Sequence, residues 1–312
     1  MVKKRVFLGI LLFALSYLQF FVPKQFINSF SLILFNFMFM IGVILICDAI
    51  TLKLRHKSLI NEIIKSKENV ISFTILSVVS VFILELVAHW LGKLWIYPYW
   101  GYITYFLFLI PGFFVYCLLI CESYLATKAL FDYFHKGKKH VKKRFRWEHT
   151  LFPALGLIGL FLLIVSVVWI YQDYSKQGTA LIEAEDLYSK TSTYVIPFGS
   201  ILLIFLGLWF VLEYAEYRIK ENSLIKDIVH SYPTPLISIL VCSFVLAVFM
   251  ESQNLIYNLW AYINWPFEGI TFMGLPVTMF LAWPFHYVAF LSLFRVFSRK
   301  ESSEVWTGDL IK

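Results

Sequence analysis

The chain has 312 residues, 60% of them hydrophobic and 15% charged, with a formal net charge of +7. Ordinary soluble domains are roughly 45–50% apolar and about 25% charged, so this composition excludes a soluble globular protein and indicates an all-α, polytopic membrane protein. The sequence contains no Walker-type phosphate loop, GxGxxG, HExxH, diphosphate-binding DxxxD pair or GxSxG. Nucleotide chemistry, a bound metal and a nucleophile elbow are therefore unsupported, and no cofactor is expected.

A bilayer core takes about 20 apolar residues per helix. Stretches of that kind predict eight helices near 6–23, 27–50, 70–91, 102–127, 151–171, 193–215, 234–256 and 274–294. The first begins with Lys3, Lys4 and Arg5 but ends at Phe20, Phe21, Val22 and Pro23 without a small-x-small cleavage site, so it reads as a retained helix. With both termini cytoplasmic, only Lys24, Lys93, Lys176 and Lys190 of the 27 Lys and Arg fall on the outer side. That bias follows the positive-inside rule. The basic run KGKKHVKKRFR at 136–146 is then a topogenic loop suited to anionic lipid, and nucleic acid is not an expected partner. The Lys-, Ile- and Phe-rich usage with this charge pattern suits the plasma (inner) membrane of a prokaryote.

Displacing the chain by 165 positions aligns it with itself. LWIYPYW at 94–100 matches LWAYINW at 259–265 through Leu, Trp, Tyr and Trp, and Ser58-Leu59-Ile60 matches Ser223-Leu224-Ile225. Asp48 matches Glu213, and Pro111 matches Pro276. The predicted organisation is a tandem parallel repeat of two four-helix units. These are 1–134 and 150–300, joined by the basic loop 135–149, with an outer loop at 173–192 and a tail at 301–312. The segments 57–69 and 222–231 carry apolar residues at helical spacing and are expected as short helices on the inner membrane surface. Cys47, Cys117, Cys121 and Cys242 lie within spans and read as small core residues. Asp48 and Glu213 lie near the inner interface, close to Lys53 and Arg218, with which charge pairing is expected.

Ionisable groups inside spans are costly and are functional candidates by default. Glu85 and His89 stand at i, i+4 on the third helix, and Glu251 lies at nearly the same depth on the seventh, one residue off the 165 register and followed by Gln253 and Asn254. Glu122 and His286 are secondary candidates. If the units pack about a pseudo-axis, Glu85, His89 and Glu251 become catalytic candidates. Trp95, Tyr97, Trp100, Trp260, Tyr262, Trp265 and Asn254 would then bind the substrate above them. The competing reading of the aromatics is an interfacial belt, and of the carboxylates an interhelical hydrogen bond or a water-facing position.

The order of acid-bearing helix, Trp-x-Tyr and Pro-opened helix, duplicated in tandem, resembles the lycopene cyclase domain and related carotenoid-biosynthesis membrane proteins. Glu85, Trp95-Ile96-Tyr97 and Pro111 carry the resemblance in the first unit, and Glu251, Trp260-Ala261-Tyr262 and Pro276 in the second. That family's Pro-x-Glu-Glu pair is absent: Phe113 and Phe114, and Thr278 and Met279, stand in its place. The resemblance therefore implies a scaffold that accommodates a long isoprenoid or lipid, without the cyclase activity. Three functions stay open: a protein handling an isoprenoid or lipid, whether as an isomerase- or cyclase-like enzyme or as a binder, a small-solute or proton-coupled transporter, and a non-catalytic scaffold or assembly factor. Membrane lipids are the expected partners throughout.

Overall fold

Hydrocarbon offers no water to backbone amides, so spanning segments must close their hydrogen bonds internally as helices. The computed structural model describes residues 2–98, 100–134, 146–177, 194–220, 223–255, 257–267 and 269–297. Most of the 136–146 basic run, most of the 173–192 loop and the 301–312 tail lie outside the described residues.

The helices in chain order are α1 (Val2–Ser16), α2 (Ser29–Arg55), α3 (Leu59–Ile64), α4 (Lys67–Leu84) and α5 (Tyr102–Phe134). They continue with α6 (Glu148–Gln177), α7 (Phe198–Lys220), α8 (Leu224–Val229), α9 (Thr234–Asn254) and α10 (Val277–Phe297). A π-helical turn, Glu85–Leu91, prolongs α4. Four two-residue strands complete the described elements: β1 (Trp95–Ile96), β2 (Ala261–Tyr262), β3 (Thr271–Phe272) and β4 (Leu275–Pro276). The helices alternate between two ends of the bundle. One end holds α3 and α8 and is called the basic end; the other holds β1 and β2 and is called the motif end.

Among the described residues, seven helices are long and apolar enough to cross a membrane, against eight expected. The difference is α1, whose 15 residues extend only about 22 Å at 1.5 Å per residue. After it the chain tightens into 3₁₀ turns at Tyr17–Phe20 and Lys24–Phe26. Two other expectations are corrected. α6 continues through Asp173 to Gln177, into the stretch expected as an outer loop. Pro111 lies inside α5 rather than opening it, whereas Pro276 does immediately precede α10.

Close helix pairs form where glycine removes the side chain. A Cβ on Gly42 would sit 2.9 Å from the Gly9 carbonyl oxygen, and one on Gly159 would sit 2.7 Å from that of Gly207. Small residues at such crossings let backbones approach where lipid supplies no hydrophobic drive for association. Gly42 and Gly207 are 165 positions apart, so α1 with α2 and α6 with α7 are closed by the same device.

The short helices also match. Ser58 caps α3 by accepting from the Asn61 amide, and Ser223 caps α8 by accepting from the Lys226 amide, which satisfies one orphan donor at each start. Leu59, Ile63 and Leu224 are buried in the bundle rather than laid on its surface, while Ile64 faces out. At the motif end, β1 and β2 pair antiparallel, with Trp95 opposite Tyr262 and Ile96 opposite Ala261. The two halves are therefore tied by backbone hydrogen bonds across the middle of the molecule.

Candidate functional site

The turn Glu85–Leu91 brings a buried carboxylate to the motif end. Tyr97 donates from its hydroxyl to Glu85 Oε1 at 2.8 Å, and Tyr105 on α5 donates to Glu85 Oε2 at 2.9 Å. The Trp95 indole donates to the Tyr97 hydroxyl at 3.1 Å. Burial first, and the adjacent Glu85 second, hold the Tyr97 phenol well above the usual tyrosine range, so it stays protonated and keeps donating.

Glu251, at the end of α9, repeats the first part of this arrangement. Tyr262 donates to its Oε1 at 2.6 Å, and the Trp260 indole donates to the Tyr262 hydroxyl at 3.2 Å. Tyr262 is likewise pushed well above its ordinary range, by burial and then by Glu251. The rest differs: the Trp260 indole also reaches Glu251 Oε1 at 3.3 Å, and Asn254 Nδ2 reaches Oε2 at 3.3 Å.

His89 and Asn254, 165 positions apart, share one role. The His89 ring donates from Nδ1 to the Trp95 carbonyl at 2.6 Å, and Asn254 Nδ2 donates to the Trp260 carbonyl at 2.8 Å. Asn254 Oδ1 also accepts from the Trp260 amide at 3.0 Å. Each side chain pins the strand that carries the Trp and Tyr. On this geometry His89 is a positioning residue, held against the backbone behind the site.

The π turn accounts for the broken register. Glu85 precedes Tyr97 by one residue more than Glu251 precedes Tyr262, and a π turn absorbs a single extra residue within a helix. Both carboxylates consequently meet their tyrosines in the same way.

Between the halves lies a cavity of about 260 Å³. Its motif-end wall carries Glu85 and the six aromatics Trp95, Tyr97, Trp100, Trp260, Tyr262 and Trp265. Deeper in the bundle it reaches Tyr116 and His286, whose Oη and Nε2 lie 2.6 Å apart. Tyr116 is fourteen residues into α5, or about 20 Å along the helix. The wall is otherwise apolar, apart from Asn36 on α2, and it reaches the lipid-facing surface at Leu202 and Phe285. Glu251, His89 and Asn254 do not line it. Glu251 stands behind Trp260 and Tyr262, so the cavity is faced by one of the two carboxylates.

The aromatic walls differ too. Trp100 stacks on Tyr97 with ring centroids 5.0 Å apart, whereas Trp265 meets Tyr262 edge-on at 5.9 Å and donates its indole N–H to the Leu94 carbonyl at 2.8 Å. Sequence reasoning missed Tyr105 and Tyr116, since a single tyrosine inside a long apolar helix carries no local pattern. The i, i+4 spacing does bring Glu85 and His89 to the same tyrosine: the Tyr97 hydroxyl bonds Glu85, and its ring centroid lies 5.1 Å from that of His89.

Glu122 is fully buried far from this cavity, toward Asp48 and Arg5 at the basic end. Asp48 pairs with Arg5 rather than Lys53, and Arg5 also donates to Ser58 Oγ at 2.9 Å and Asn61 Oδ1 at 2.6 Å. Glu213 accepts from the Trp209 indole at 2.8 Å and the Ile225 amide at 3.1 Å rather than pairing with Arg218. No protein-family model, curated protein or solved structure matches the chain.

Proposed function

We propose that this is a tandemly duplicated membrane protein that binds the end of an isoprenoid or lipid chain in the cavity between its halves, with Glu85 at the polar end. The observation that carries this reading is the cavity itself: about 260 Å³, apolar over most of its wall, ringed by six aromatics and facing one tyrosine-held carboxylate. A cavity of roughly 150 Å³ accommodates a benzene, so this one has room for about ten carbons. The remainder of a longer chain would leave by the lipid-facing wall at Leu202 and Phe285. In the orientation set by the basic residues the site lies in the outer half of the membrane, and Glu251 acts as a positioning residue that holds the Trp260 and Tyr262 wall. We place no reaction at the site; Glu85 with Tyr97 forms a proton-donor and acceptor pair that a reaction could use.

A carrier working by rocking its two repeats would have to break the β1–β2 pairing at each cycle, which favours binding over transport. Lipid extracts of purified wild-type protein and of Gly112→Leu provide the test. Gly112 borders the cavity, and a Cβ there meets nothing nearer than Phe37 at 3.8 Å, so a larger side chain projects into open space. The wild type should retain an isoprenoid or acyl lipid that the variant loses several-fold. Identical extracts, or proton-coupled flux in liposomes from protein carrying no lipid, would overturn the reading.

A further inference from the structure

A carboxylate buried at the edge of a membrane needs a counter-charge. Among the described residues every ion pair lies elsewhere: Arg5 with Asp48, Arg55 and Lys128 with Asp132, Lys65 with Glu62, Lys226 and His230 with Glu148, and Arg295 with Glu216. None reaches Glu85. Both Glu85 oxygens accept from tyrosine hydroxyls, an arrangement that suits the ionised, acceptor-only form. Glu85 also faces the cavity instead of being closed off from it.

The side chains that share the motif-end wall of the cavity with that carboxylate are aromatic. Trp95, Tyr97 and Trp100 come from the first half and Trp260, Tyr262 and Trp265 from the second. Aromatic faces attract cations, and an aromatic cage is how quaternary ammonium groups are recognised. A buried carboxylate repels a phosphate or carboxylate head at the same place and gives an uncharged alcohol no Coulomb attraction. We infer that the natural ligand of the cavity is a lipophilic organic cation: an alkyl or isoprenoid chain of about ten buried carbons ending in an amine or quaternary ammonium group that sits against Glu85 within the aromatic ring. The inference rests on the reading of the cavity as a chain-binding site and adds the charge of the head group.

Three ten-carbon probes test it on the full-length protein in maltoside micelles: decyltrimethylammonium, decanol and decanoate, titrated against tryptophan fluorescence with Gly112→Leu as the blank. The wild type should bind the ammonium at least about ten-fold more tightly than decanol, with decanoate weakest. Glu85→Gln should make ammonium and decanol equal while still binding decanol. Glu251→Gln should move both affinities alike and preserve their ratio. Trp100→Leu, which leaves Glu85 in place, should lower the ammonium preference several-fold, and it serves where Glu85→Gln does not fold. Equal binding of ammonium and decanol by the wild type overturns the cation inference and leaves the chain-binding site standing. Binding of all three probes that Gly112→Leu does not reduce overturns the site, and the inference with it.

Discussion

Glu85 and Glu251 share their nearest partners and differ in what closes them. Each takes a hydrogen bond from a tyrosine that takes one from a tryptophan two residues earlier. Around Glu251 the closure is local, since Asn254 and the Trp260 indole occupy what the tyrosine leaves. Around Glu85 it comes from another helix, through Tyr105 near the start of α5. Tyr105 is there because the first half stays helical from Tyr102, ten residues before Gly112, the position aligned with the first residue of α10. The second half spends those residues on the β3–β4 hairpin, which turns at Met273 and Gly274, both with positive φ, as a two-residue primed turn requires. Two segments at one 165-residue offset can thus keep one side-chain network and still leave only one of its carboxylates facing a cavity.

The difference can be probed most strongly through stability. Glu251→Leu strands the Tyr262 hydroxyl and one Asn254 N–H, while the Trp260 indole keeps the Tyr262 hydroxyl as its acceptor; at about 1–3 kcal/mol for each buried group left unmade, a loss of about 4 kcal/mol is expected in detergent unfolding. Glu85→Leu strands two donors, one beside the cavity, and should cost roughly half as much. Equal losses would show that both carboxylates are sealed alike. Gly112→Leu should weaken binding of an apolar probe at least ten-fold, about 1.4 kcal/mol, with unfolding unchanged or slightly raised by the helix propensity regained. Binding that survives it would place the ligand elsewhere.

Next in size come the strand pins. His89→Leu should destabilise by about 1 kcal/mol and His89→Asn by less, because an amide can hold the Trp95 carbonyl as Asn254 holds that of Trp260. A larger loss in His89→Asn than in His89→Leu would assign the ring a further role. The smallest effect is an alkaline one and belongs to the two tyrosines. Both have folded-state values raised above the ordinary range, so their contribution is complete below about pH 10, the unfolded value, and declines above it as the unfolded chain loses protons first. Alkaline unfolding should shift upward in Tyr97→Phe and in Tyr262→Phe to similar extents, by no more than about 1.4 kcal/mol per pH unit. A shift in one variant alone would break the equivalence of the two dyads.

Much of this arrangement could be read from the residues. Hydropathy located the seven long apolar helices of the described residues, because a bilayer imposes one length and one polarity on such segments. The 165-residue offset matched Ser58 with Ser223 and Trp95 with Trp260, and these pairs occupy corresponding caps and strands. What escaped were features decided by three-dimensional closure. The short α1 carries enough apolar residues to span, but its helix stops at Ser16. The side of the tryptophan wall on which Glu251 stands depends on Asn254 and the hairpin rather than on its depth. The partnership of Asp48 with Arg5 joins two helices where proximity in sequence pointed to Lys53.

The π turn at Glu85–Leu91 makes two unequal spacings equivalent. Deleting one residue there, at Val87 for instance, would restore an ordinary α-helix with Glu85 still in phase with Tyr97, because the turn is what absorbs the extra residue. The deletion would also give the first half the eleven-residue spacing of the second. The turn is thus a tolerance built into the backbone: one side of the molecule carries a residue more than the other and still presents the same acid to the same tyrosine.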